Sequence, residues 1–231
     1  MNPSKDNSMF AENDNFSGGN GGLFAGVTFG LENTTIRRAL MHFDLPTSII
    51  PVGSTINSVS LRLSVQLAAA PNSGADVLLL HRLSADWGET TLLPSVGKGT
   101  AAQPNDATWR DNFYNTSSWV TPGGDFTAAP SGIITLDTIS FDYTFSAQAG
   151  LVSDVQNWVN NPSTNFGWLM KYENEDDIGT ARNFFSREAF DVNFRPTLTI
   201  DFTAVPEPSS CVILGAVAVV VSAWRVLRRA G

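Results

Sequence analysis

The chain has 231 residues, a formal net charge of -8 and a hydrophobic fraction of 42%, enough apolar content for a core. The acidity argues against a nucleic-acid partner, whose phosphates demand Lys and Arg. The single cysteine, Cys211, rules out an internal disulfide, so the fold rests on packing, helped at most by a metal.

Taken in chain order, the pattern is mostly strands. Lys5-Asp6-Asn7-Ser8 opens one, leading into the Gly- and Asn-rich loop 18–22. A second is expected over 39–45. Val59, Leu61, Leu63, Val65 and Leu67 then alternate with Ser60, Arg62, Ser64 and Gln66, the period of a half-buried strand. Strands are also expected over 77–83 and 167–172. Ile139, Phe141, Tyr143 and Phe145 alternate, as do Leu198, Ile200 and Phe202. Turn-rich stretches at 71–74, 121–125 and 160–165 separate them. One segment has the other period: Leu151, Val152, Val155, Trp158 and Val159 predict an amphipathic helix over 147–160. The expected class is all-β, a two-sheet sandwich capped by one short helix and formed by residues 1–203.

Catalysis has little to draw on. Glycan hydrolysis needs two carboxylates flanking one bond, and no spacing selects such a pair, although Asp86 and Glu89 bracket Trp87. His42 and His81 read as an outward-facing residue and a structural one. No nucleophile elbow and no paired histidines point to a triad or a zinc site. Sugar binding uses exposed aromatic faces, and Trp87, Trp109 and Trp119 lie in loop-rich sequence, where packing under long loops is the competing role. Arg37, Arg38 and Arg110 are candidates to pair with the carboxylates of an acidic glycan. Calcium prefers hard oxygen ligands. Two stretches are rich in them: Asp6, Asn7 and Asp14 near the start, and Asp176 and Asp177 after a strand. Neither has the spacing of an EF-hand loop.

The tail departs from all this. Pro206-Glu207-Pro208 belongs to an exposed Pro-rich hinge over 204–210, since proline suits neither a helix interior nor a central strand. The segment 211–231 follows, apolar from Cys211 to Trp224 and closed by Arg225, Arg228 and Arg229. It reads as a transmembrane helix with its basic end on the cytoplasmic side. A terminal core helix is the alternative. The three parts in this order resemble the PEP-CTERM sorting signal. That resemblance implies an exported bacterial protein, anchored by its tail until an exosortase removes it, then displayed at the cell surface or in the extracellular matrix. Met1–Asp6 has no charged leader followed by an apolar region, so a preceding export leader is expected.

A second resemblance spans most of Pro3 to Phe202. It rests on Lys5-Asp6-Asn7-Ser8, Arg37-Arg38-Ala39-Leu40, Phe43-Asp44-Leu45 and Asp86-Trp87-Gly88-Glu89. Further on it rests on Ala107-Thr108-Trp109, Asn165-Phe166-Gly167-Trp168, Phe185-Ser186-Arg187-Glu188 and Arg195-Pro196-Thr197-Leu198. In order and spacing these blocks resemble the DNRLRE domain family, similar to a carbohydrate-binding module family with members tied to polysaccharides such as alginate. The resemblance implies a jelly-roll β-sandwich that binds polysaccharide without catalysis, with calcium as the cofactor to look for. A structural or adhesive surface protein without a small ligand is the first alternative. A glycan-active lyase or hydrolase is the second.

Overall fold

A computed structural model describes residues 1–18, 21–29, 36–67, 76–90, 99–137 and 140–205. The sorting motif (Pro206, Glu207, Pro208, Arg228, Arg229) and the apolar tail lie outside the described residues. Among the described residues, no helix is long and apolar enough to cross a membrane.

The strands are β1 (Lys5–Phe10), β2 (Phe16–Ser17), β3 (Leu23–Val27), β4 (Ile36–His42), β5 (Thr55–Leu67), β6 (Asp76–Arg82) and β7 (Thr100–Ala101). After these come β8 (Asp111–Phe113), β9 (Ser117–Ser118), β10 (Gly132–Leu136), β11 (Asp142–Ser146), β12 (Trp168–Tyr172), β13 (Arg182–Phe184) and β14 (Thr197–Thr203). The helix α1 (Ala149–Asn160) lies between β11 and β12. The result is a β-rich sandwich, as the alternation predicted.

The longest strand shows why. In β5, Val59, Leu61, Leu63 and Val65 are buried while Ser58 is exposed and Arg62 half-buried, so one face turns to the core. That strand is flanked by β11 and β14: Leu61 sits opposite both Phe145 and Leu198. Among the described residues all ladders are antiparallel. One run is β10-β6-β12-β4, with β1 also on β4; the other is β3-β13-β5-β11, and the two meet where β3 pairs with the start of β4. Between them Leu61, Phe145, Met41, Leu80, Trp168 and Met170 form the main core.

The helix seals this core. Leu151, Val155, Trp158 and Val159 are buried on one face, and Trp158 meets Trp168 with ring centroids 4.6 Å apart. Its start is constrained. Ala147 takes φ 54 to turn the chain, and Gly150 lies so close to β10 that a Cβ would sit 2.4 Å from the Ser131 carbonyl oxygen.

Strand β4 is buried on both faces, which alternation alone does not predict. Ala39 and Met41 belong to the main core, while Leu40 belongs to a second cluster with Met9, Leu83, Trp87, Ala107, Trp119 and Leu169. That cluster lies under the described parts of the connection between β6 and β10, residues 83–90 and 99–131, which pack on Met9 of β1, Leu40 of β4 and Leu169 of β12. Asp106 holds this connection together. Its buried carboxylate accepts hydrogen bonds from Thr90 N (2.8 Å), Thr90 Oγ1 (2.6 Å) and Gln103 N (2.7 Å).

Candidate metal centre and adjoining cleft

The loop layer decides the fate of the sequence candidates. Trp87 is fully buried, donates from Nε1 to the Phe166 carbonyl (2.9 Å), and has Lys5 Nζ 4.5 Å from its ring centroid. Trp119 is also buried and donates to the Thr108 carbonyl (3.0 Å). Neither ring presents a face to a ligand, which corrects their expected role as sugar platforms. Both fill the gap between loop and sheet, where burying a large ring is strongly favoured. Trp109 is half-buried with the Arg38 guanidinium 4.9 Å from its ring centroid.

The arginines are mostly committed as well. Arg37 is buried, pairs with Glu12 at 2.7 Å and lies over Phe10 and Phe24. Arg38 donates twice to Glu175, at 2.9 and 2.7 Å, and to the Gly123 carbonyl. Arg37 is therefore corrected to a structural cation. Arg110 is exposed.

The calcium candidates divide too. Asn7 is a buried clip: its Oδ1 accepts from Ser8 N, Ser17 Oγ and Gly18 N, and its Nδ2 donates to the Ala107 carbonyl. Asp14, Asp176 and Asp177 are exposed. Among the described residues, the carboxylates close enough to share an ion are Asp6, Glu89 and Glu188, with ligand oxygens all within 4.8 Å of one another. Of the predicted ligands only Asp6 joins that group; Asn7 spends its Oδ1 on three hydrogen bonds, and Asp14, Asp176 and Asp177 are not among the group's members.

Three parts of the fold build this cluster. Asp6 comes from β1, Glu89 from the bend after Trp87, and Glu188 from the turn after β13. Gly88 makes the bend possible, since a Cβ there would fall 1.8 Å from the Asn105 carbonyl oxygen. Arg187 ties the three together. Its backbone N donates to Asp6 Oδ2 (2.8 Å), its Nη2 to Glu89 Oε1 (3.0 Å), and its Nε lies 2.8 Å from Glu188 Oε1. Asp6 N donates to Glu89 Oε2 (3.1 Å).

Two oxygens stay out of this network. Asp6 Oδ1 and Glu188 Oε2 are buried and accept no hydrogen bond. Burial, and then the nearby Glu188, hold the Asp6 pKa well above the ordinary carboxylate range. Burial also pushes Glu89 up to about 7, against the Arg187 hydrogen bond. No spacing in the sequence links positions 6, 89 and 188, and Glu188 stood out there only as part of a block.

Beside the cluster is a cleft of about 380 Å3 whose lining includes Phe24, Gln66, Asn183, Phe185, Glu188 and Phe190. Phe190 is fully exposed and Phe141 is 46% exposed. Phe185 stacks on Phe194 at 4.9 Å, and Phe141 meets both edge-on, so the cleft continues into an aromatic surface. Asn183 Nδ2 donates to Gln66 Oε1 (2.9 Å). The fold and site thus define a β-rich sandwich with a buried acidic cluster next to an aromatic, amide-lined cleft. Compared with protein-family models and with curated proteins, the chain matches none.

Proposed function

We propose that this chain is an exported, surface-associated module with a jelly-roll β-sandwich that binds polysaccharide and catalyses no reaction. The observation that carries the reading is the cleft of Phe24, Phe185 and Phe190 with the side-chain amides of Gln66 and Asn183. A sugar ring presents an apolar C–H face and a rim of hydroxyls, so it needs an aromatic surface and convergent polar groups together. The platform is here assigned to the half-buried Phe185 and the exposed Phe190, in place of the buried tryptophans. The resemblance to the DNRLRE family supports the same ligand class. The PEP-CTERM-like tail supports export, transient insertion of 211–231 in the membrane and release by an exosortase to the cell surface or matrix.

The test is a glycan array probed with the full chain, including alginate and other uronic-acid polymers. Binding to one glycan class, weakened about tenfold or more by Phe190→Ala with the fold intact, is the expected result. The exposure of Phe190 makes this substitution nearly neutral for stability. The burial of Trp87 and Trp119 favours a second reading, a rigid structural domain with no small ligand. Absence of binding to every glycan by the folded chain would select it.

A further inference from the structure

Asp6, Glu89 and Glu188 bring three carboxylates to one point, and Arg187 is the cation that ties them together. Each carboxylate has one oxygen or more engaged by Arg187 or by the Asp6 amide. Asp6 Oδ1 and Glu188 Oε2 remain buried with no donor, and Asp6 has no exposed surface at all. A buried acceptor left unpaired costs roughly 1–3 kcal/mol, and more when it is charged. A fold that assembles two such oxygens from β1 and from the turn after β13 leaves a gap in its own polar network. A cation is the chemistry that fits the gap.

We propose that Asp6, Glu89 and Glu188 bind one divalent cation of the calcium class, with Asp6 Oδ1 and Glu188 Oε2 as its principal protein ligands. The spacing agrees. Oxygens around calcium lie at about 2.3–2.6 Å from the ion, so any two of them are at most about 5 Å apart. One oxygen from each of the three carboxylates lies within 4.8 Å of the other two. The charge agrees: three carboxylates against one guanidinium leave two negative charges when all are ionised, which one divalent ion neutralises. The donor set is oxygen alone, with no imidazole or thiolate in the cluster, so hard cations are preferred over zinc. Three protein carboxylates also leave coordination positions for water, as calcium takes six to eight ligands. Glu188 faces both the cluster and the cleft, so the ion would brace one wall of the ligand surface. The site itself stands without the glycan reading, because its readout is ion uptake.

The experiment uses the full chain, stripped with a chelator and passed through gel filtration, and titrated with calcium chloride or magnesium chloride. Calorimetry and thermal unfolding are recorded together, alongside metal analysis of the unstripped protein. The expected result is one calcium per chain and, at about 100-fold excess over Kd, a rise in Tm of roughly 5–10 °C. Glu188→Gln removes one ligand charge at a side chain that is partly exposed, so the variant is expected to fold. It should bind calcium at least about tenfold more weakly and lose most of the thermal shift. If Glu188→Gln does not fold, Asp6→Asn is read in the same way. Absence of bound metal and of any calcium effect on wild type overturns the proposal. An equal shift in wild type and Glu188→Gln overturns it as well, since that marks general charge screening. Glycan binding that survives loss of the ion would leave the metal site standing and break only its link to the cleft.

Discussion

At the scale of single residues, burial decides more than identity. Trp87 is one of three sugar-platform candidates in the sequence, with Asp86 and Glu89 on either side. In the fold it is a core residue whose indole nitrogen is satisfied by the Phe166 carbonyl. Trp87→Ala should therefore cost about 3–5 kcal/mol in urea unfolding, the range for emptying a buried aromatic site. A loss below about 1 kcal/mol would mean that the loop layer is not packed on the sheet. His81 makes a second residue-scale case. Its Nδ1 lies 2.8 Å from the Thr127 carbonyl oxygen, so Nδ1 carries the proton and donates, and its buried Nε2 has no partner. Burial lowers its pKa from 6.5, with Lys171 and Arg38 acting in the same direction and Glu175 against them. The folded state then binds its proton less readily than the unfolded chain. The stability tied to the neutral ring is full above about pH 6.5 and is lost as pH falls through the folded pKa. Buried carboxylates such as Asp154 work in the opposite direction, so the whole-protein profile does not isolate the effect. The gap in stability between wild type and His81→Gln does, and it should narrow between pH 7.5 and 5.5. A constant gap in denaturant titrations at the two pH values would exclude His81 as the source.

At the scale of elements, the two hydrophobic periods mapped onto structure well. The alternation at Val59–Leu67 lies within β5, that at Leu198–Phe202 within β14, and the predicted helix 147–160 became α1 (Ala149–Asn160). The short strands β10 and β13 had no such signal, because Gly132–Leu136 and Arg182–Phe184 are paired for their backbone positions rather than for an alternating pattern. The helix start tests how tightly an element is held by its neighbour. Gly150→Ala gains about 1 kcal/mol in intrinsic helix propensity. Against that, the new methyl would lie 2.4 Å from Ser131 backbone oxygen, which has little room to move. A net loss of about 1–3 kcal/mol is expected, measured by chemical denaturation. A gain in stability would show that α1 lies farther from β10 than this packing requires.

At the scale of the whole molecule, the described residues of the sandwich form two hydrophobic clusters rather than one. The main core lies between the sheets and under α1, and the second lies beneath the connection from β6 to β10. The second is smaller and is closed on one side by loop backbone. Its amides should open with lower free energy than those of the sheet interior. Hydrogen exchange followed by mass spectrometry should show residues 99–127 exchanging before the β5 segment around Leu61 and Leu63. Simultaneous exchange of both regions would make the loop layer part of one cooperative unit. The same layer presents Glu89 to Asp6, so loosening it should weaken the acidic cluster.

The class of fold, the position of the helix, the long strand β5 and the lack of an internal disulfide are legible in the sequence, because they follow from local periodicity and from composition. It could not decide which tryptophans are buried. Covering the outer face of β4 depends on a loop more than forty positions away from Leu40 in the chain, and alternation reports only one face at a time. Nor could it assemble the acidic cluster. Asp6, Glu89 and Glu188 are joined by strand pairing and by the hydrogen bonds of Arg187, and the burial that leaves two of their oxygens unpaired exists only once the sheets have closed on each other.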